Sequence, residues 1–166
     1  MGIPRSDSSD LENQATSTNS VQIVSKLAEV PKVEISESIF EDFPENLGYF
    51  AEHNIMVEIP KEEKEEETPN YFGVAPVFVK GENFEITYST DKGYRIEKVV
   101  IKGESVFERW NSFFGVDINI IESSWGEPTY IQKGEYIFYD SEEYWISVCF
   151  MHKDNKVVKI EIARDP

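Results

Sequence analysis

The chain has 166 residues, of which 40% are hydrophobic and 13% aromatic, and its 32 acidic and 16 basic residues give a formal net charge of −16. This length fits one domain, or two small modules that share a core. Such an acidic surface repels the phosphates of nucleic acids and the anionic faces of membranes, so we expect neither as a partner. A protein with a basic surface remains compatible, although the charge also suffices simply to keep the chain in solution.

The single cysteine, Cys149, leaves no internal disulfide and no cysteine-based zinc site. It lies in the apolar segment 144–150, which resembles a strand, and a lone cysteine in a strand usually acts as a small buried hydrophobe. No apolar run approaches the roughly 20 residues that a membrane-spanning helix needs. The sequence also shows no signal peptide.

Residues 3–20 are rich in Ser, Thr, Asn, Asp and Gln. A stretch with so few apolar side chains cannot offset its ordering entropy, so we predict that residues 1–32 form a disordered polar tether. Within it, the apolar spacing of residues 21–30 allows one short helix, which Pro31 would end. A polar tether follows the lipidated cysteine of bacterial lipoproteins, so the native form would carry an N-terminal lipid anchor. An ordinary flexible terminus is the alternative.

The segments Glu37–Gly48 and Glu104–Gly115 are near-copies of each other without a gap. Both contain Ser-x-x-Glu, the form of a capping box that starts a helix, and both end in a glycine that we expect to stop it. Each copy also carries two aromatic residues three positions apart, which we expect in the core: Phe40 and Phe43, then Phe107 and Trp110. The chain therefore reads as two similar units in tandem.

The predicted units span residues 33–103, with an acidic insertion near residues 58–69, and residues 104–166. The insertion is either a solvated loop or a lure for a basic partner. After each helical start, alternating apolar residues and turn residues predict an antiparallel meander. In the second unit, Asp117 is a good N-cap for a helix that would end at Gly126. The predicted fold class is α+β, with two tandem helix-then-antiparallel-meander units that pack helices on one face of a sheet.

The second unit resembles a known module. Its residues Gly115–Pro128, followed by tyrosine-rich strands and by Asn155–Ile160, are similar to the module shared by the SmpA/OmlA outer-membrane assembly lipoproteins and the β-lactamase inhibitor proteins (BLIP-like). The resemblance covers residues 104–162 directly and residues 37–103 through the near-copy. It implies an extracytoplasmic location, tandem copies, protein–protein binding and no enzymatic activity. The resemblance identifies no binding residue in this chain, because the binding loops of that family are not defined by a motif.

The sequence offers no pattern typical of catalysis or of cofactor binding. His53 and His152 are isolated among polar residues, and we find no glycine-rich phosphate loop and no nucleophile elbow. We therefore predict no catalytic residue, no metal site and no cofactor.

Aromatic residues crowd the last predicted sheet and form the candidate protein-binding surface: Tyr130, Tyr136, Tyr139, Tyr144 and Trp145. Successive strand residues point to opposite faces, so some of these side chains reach solvent unless helices cover them. Exposed Tyr and Trp are typical of binding surfaces. The alternative is that all of them pack under the helices.

Three hypotheses about function follow. The first is a non-enzymatic protein of the cell envelope, a lipoprotein with an N-terminal tether that binds another protein. The second is an acidic cytoplasmic inhibitor or immunity-type protein that neutralises a basic toxin or enzyme. The third is an enzyme, which would need a pocket where two carboxylates with raised pKa values converge.

Overall fold

The computed structural model describes residues 30–58, 76–90 and 93–164. A 3-10 helix, Glu37–Asp42, is the first helical element, and three short α-helices follow: α1 (Gly48–Glu52), α2 (Glu108–Asn111) and α3 (Ile118–Trp125). The strands are β1 (Met56–Glu58), β2 (Val77–Gly81), β3 (Phe84–Ser89), β4 (Arg95–Ile101), β5 (Tyr130–Gln132), β6 (Tyr136–Ser141), β7 (Ile146–Lys153) and β8 (Lys156–Arg164).

The predicted fold class is wrong. The eight strands form one antiparallel sheet in the order β1-β2-β3-β4-β8-β7-β6-β5, and among the described residues strands take 41% and helices only 20%. β4 pairs with β8, with Val99 opposite Ile162, so one continuous sheet with few short helices takes the place of the two predicted helix-then-meander units. The two strands pair because an unpaired strand edge leaves a row of backbone N–H and C=O groups without partners. The edges of β4 and β8 supply these partners to each other.

The domain boundaries themselves stay a prediction. Strands β1 to β4 come from the range 33–103, and β5 to β8 come from the range 104–166. Of the predicted tether, residues 1–29 lie outside the described residues, together with most of the short helix expected at residues 21–30. The acidic insertion also lies outside them, except Glu58, which forms an ion pair of 2.7 Å with Lys80.

The predicted capping boxes do not form. No side chain caps the 3-10 helix, and the Ser38 hydroxyl instead lies 2.7 Å from that of Ser36. In the second copy, Ser105 Oγ accepts a hydrogen bond from the backbone N–H of Phe107, two residues on, at 3.2 Å. Gly48 begins α1 instead of ending a helix. A capping box needs its serine at the N-cap, but Ser38 lies inside the 3-10 helix and Ser105 lies two residues before the N-cap of α2, Phe107.

The helix α3 forms as predicted. Asp117 Oδ1 accepts the backbone N–H of Asn119 at 2.8 Å, which satisfies one of the free donors at the start of the helix. Gly126 follows the last residue with a φ of 87°, a conformation that favours glycine. This helix also holds the N-terminal described segment, because Trp125 Nε1 donates a hydrogen bond of 2.9 Å to the Pro31 carbonyl.

The core lies between the helices and one face of the sheet. Alternate strand residues are buried there, as along β3 (Phe84, Ile86, Tyr88) and β7 (Ile146, Val148, Phe150). The four aromatic residues of the near-copies are in this core, as predicted. Phe43 meets Phe107 edge to face, with ring centroids 4.8 Å apart, and lies 6.2 Å from Trp110. The near-copy segments therefore pack directly against each other.

Candidate protein-binding surfaces

Tyr139, one of the five candidate aromatic residues, lies in the core. It is 5% exposed, and its ring packs against those of Trp125 and Phe150. Its hydroxyl donates to the Gly126 carbonyl at 2.9 Å. Burial, together with the negative charge of Glu122, raises the pKa of the Tyr139 hydroxyl to about 12. Tyr139 therefore packs against the end of α3 and is not part of the candidate surface.

Tyr130 and Tyr136 lie on the sheet face that points away from the helices. Tyr136 alternates with the buried Ile137 of β6 and is half-buried opposite Met151, and Tyr130 of β5 pairs with Phe138 on the same face. Tyr130 is 47% exposed, and its ring stacks on that of Phe138 with centroids 4.4 Å apart and planes 11° apart. Both residues thus belong to a partly exposed aromatic patch near the sheet edge.

Tyr144 and Trp145 occupy the turn between β6 and β7, which we call the hairpin tip (residues 142–145). Trp145 is 66% exposed and Tyr144 39%, and the preceding Glu142 and Glu143 are exposed as well. The backbone N–H of Trp145 donates to the Ser141 carbonyl at 3.0 Å, which closes the turn. The hairpin tip therefore presents two carboxylates beside two aromatic rings.

Trp145 also has an unusual backbone. Its φ is 55°, in the left-handed region, which costs a residue with a side chain about 1 kcal/mol relative to glycine. Stability alone would favour glycine at this position. A bulky apolar ring that is both exposed and held in this conformation points to a role in binding.

A second concave feature lies where the near-copies meet. A groove of about 440 Å³ is lined by residues 41–44, residues 106–110 and Tyr49, and we call it the inter-copy groove. On its wall, Asp42 Oδ2 accepts a hydrogen bond of 2.9 Å from Trp110 Nε1 and forms an ion pair with Arg109, whose Nε lies 2.9 Å away. The guanidinium carbon of Arg109 lies 5.8 Å from the centre of the Trp110 ring.

Sequence reasoning missed this groove, although one signal for it was present. Asp42 and Arg109 occupy the same column of the near-copies with opposite charges. When two similar segments pack against each other, equivalent positions come together, as across a twofold interface. An acid–base reversal in a repeat can therefore indicate a contact between the copies. The neighbouring Glu41 and Glu108 instead suggested capping boxes.

The histidines and the cysteine show no catalytic arrangement in the part of the chain that the structure describes. No group of three His, Cys, Asp or Glu residues there could hold a metal ion. His53 is exposed and stacks on Tyr49, and His152 is buried in β7. Burial raises the pKa of the Cys149 thiol to about 12, which keeps it protonated and unreactive at neutral pH.

Comparison with known proteins adds little. No protein-family model matches the chain, and no curated protein matches it. The chain is similar to the crystal structure of a DUF4309 family protein (YjgB) from Bacillus subtilis at 13% identity, over 84% of this chain and 96% of that one, with a TM-score of 0.36. A structural similarity this distant supports no conclusion about this chain. Within the described ranges, no helix has the length and apolar character to cross a membrane.

Proposed function

We propose that this protein is a non-enzymatic protein-binding module of the cell envelope, and that it engages a partner with a basic surface through its hairpin tip. The observation that carries the proposal is Trp145, which is 66% exposed at a left-handed backbone position beside two exposed carboxylates. Trp and Tyr are the residue types that most often dominate the energy of protein interfaces.

The hairpin tip is well placed to bind because rigid strands present it. Ser141 and Ile146 pair directly below the turn, and Ile146 is 1% exposed. Binding through such a turn loses little conformational entropy, and this favours affinity. An indole that is exposed before binding also gains from being covered.

Charge supports a basic partner. Glu142 and Glu143 adjoin the aromatic pair, and the whole chain carries a formal charge of −16. Fields of this sign accelerate the approach of a positively charged protein and disfavour acidic ones.

The envelope location rests on the polar composition of the N-terminal residues and on the resemblance of residues 104–162 to the lipoprotein and inhibitor module. The same acidic hairpin tip also fits the second candidate, a cytoplasmic inhibitor or immunity-type protein that neutralises a basic toxin or enzyme. The two candidates differ in compartment, so cell fractionation with an antibody against the native protein separates them. Recovery of the native protein only in the cytosol would contradict the envelope proposal.

The binding test uses Trp145→Ala in the full chain, with cross-linking to identify the partner and a titration to measure its affinity. We expect affinity to fall about 30-fold, the value for a hot spot worth about 2 kcal/mol. Tyr94→Ala is the matched control, because Tyr94 is an aromatic residue of similar exposure, 50%, outside the hairpin tip. Equal binding by both variants would show that the hairpin tip is not the binding surface.

A further inference from the structure

The inter-copy groove is a second binding site, separate from the hairpin tip and sharing no residue with it. We propose that this groove binds a basic peptide segment in which an arginine or lysine stands beside an apolar residue. The inference goes beyond the proposed function, because it concerns another surface and a ligand defined by its own chemistry.

The charge of the groove favours a cation. Three carboxylates line it, those of Glu41, Asp42 and Glu108, against the single guanidinium of Arg109. Arg109 is already paired with Asp42. Glu41 and Glu108 are exposed and form no ion pair with any residue that the structure describes. Two carboxylates therefore remain available to an incoming positive charge.

Arg109 shows how a guanidinium is held in this groove. Its Nε forms an ion pair of 2.9 Å with Asp42 Oδ2, while its guanidinium carbon lies 5.8 Å from the centre of the Trp110 ring. This combination of a carboxylate and an aromatic face is a favourable environment for arginine. The Arg109 side chain is 45% exposed, so it occupies only part of the site and competes for its charge.

The groove also has an apolar side and a rigid floor. Val106 is 55% exposed, which suits an apolar side chain next to the cation of the ligand. Below it, Phe43 and Phe107 are almost fully buried and meet edge to face, with centroids 4.8 Å apart. A preformed floor of this kind lowers the entropy cost of binding.

The first test measures fluorescence anisotropy of a labelled peptide of alternating arginine and leucine, titrated with the full chain. Peptides in which serine or glutamate replaces arginine serve as comparisons. We expect binding of the arginine peptide, weaker binding of the serine peptide and none of the glutamate peptide. Binding of the serine peptide with equal affinity would overturn the proposal, because charge would then contribute nothing.

The second test locates the site. In the double variant Glu41→Gln/Glu108→Gln, we expect the affinity for the arginine peptide to fall about fivefold, since exposed ion pairs contribute modestly. The matched control is Glu127→Gln/Glu135→Gln, which removes the same charge at two exposed positions outside both the groove and the hairpin tip and should leave the affinity within about twofold. An equal loss in both double variants would show general charge attraction only, and would overturn the assignment to the groove.

A third variant is expected to strengthen binding, a result that misfolding cannot produce. Arg109→Ala removes the competing cation, so we expect affinity for the arginine peptide to rise about threefold. Arg95→Ala, which removes one exposed positive charge elsewhere, should leave the affinity unchanged. Weaker binding by Arg109→Ala would contradict the proposed competition. None of these results depends on Trp145, so the groove and the hairpin tip can fail separately.

Discussion

At the scale of single residues, Arg164 joins the last strand to the 3-10 helix. Its Nε donates to the Ile96 carbonyl at 2.7 Å, and its Nη1 pairs with the Glu37 carboxylate. The guanidinium carbon lies 4.2 Å from the centre of the Phe40 ring. The Arg164 side chain is only 11% exposed, whereas the Glu37 side chain is 55% exposed.

We expect Arg164→Ala to lower the free energy of unfolding by about 2–3 kcal/mol, because it leaves the carbonyl of the buried Ile96 without its donor and removes the guanidinium from the Phe40 ring. Urea denaturation measures the change. Arg95→Ala is the control: Arg95 lies 3.4 Å from the same carboxylate but is 61% exposed, so its loss should cost at most about 0.5 kcal/mol. Equal costs would contradict the importance of burial.

The same residue has a pH signature. The hydrogen bond from Arg164, aided by the positive charges of Arg164 and Arg95, holds the pKa of Glu37 below its ordinary 4.5. The contribution of the pair is therefore fully present above about pH 4.5 and is lost as the pH falls through the lower folded pKa. The stability difference between wild type and Arg164→Ala should shrink in acid. A difference that stays constant would mean that the ion pair contributes nothing.

At the scale of elements, the helices differ in how their first turns are satisfied. Asp117 caps α3 through its side chain, whereas Ser38 forms no cap and bonds only to Ser36. The sequence indicated a cap at both places, since Asp and Ser are both favoured N-cap residues. The difference lies in position, because Asp117 directly precedes α3 whereas Ser38 is the second residue of the 3-10 helix, whose N-cap position is Ser36.

We expect Asp117→Ala to destabilise the protein by about 1 kcal/mol, the usual value for loss of an N-cap. Ser38→Ala should cost less than that, because Ser38 is exposed and its hydroxyl caps no backbone group and bonds only to that of the buried Ser36. Thermal denaturation followed by circular dichroism compares the two variants. If Ser38→Ala proved the more damaging, a cap would form there after all.

At the scale of the whole molecule, the pairing of β4 with β8 joins all the described strands into one sheet with one core. Val99 and Ile162 face each other across this junction and are both fully buried. Truncating a side chain there leaves a cavity, which removes packing contacts from residues on both sides of the junction. One continuous core favours a single cooperative unfolding transition.

Ile162→Ala should therefore lower the free energy of unfolding by about 2–5 kcal/mol, as is usual for a large core truncation. The variant should still unfold in one step. Differential scanning calorimetry compares the calorimetric enthalpy with the van't Hoff enthalpy, and the two should agree in both proteins. Two separate transitions would show that the halves of the sheet unfold independently.

The sequence by itself determined the features that depend on near neighbours. The alternation of apolar residues predicted antiparallel strands such as β3, and Asp117 with Gly126 predicted the ends of α3. The core positions of Phe43 and Trp110 also followed from residue type and spacing. These features could be predicted because periodicity and capping act over a few residues.

Only the tertiary structure decided the rest. The pairing of β4 with β8 joins residues about 60 positions apart, and nothing in the local pattern of either strand selects the other as its partner. The tertiary structure also decided that Tyr139 is buried while Trp145 is exposed, because the burial of a strand residue depends on which helix covers it. The inter-copy groove exists for the same reason: its two walls are distant in sequence and meet only when the near-copies pack together.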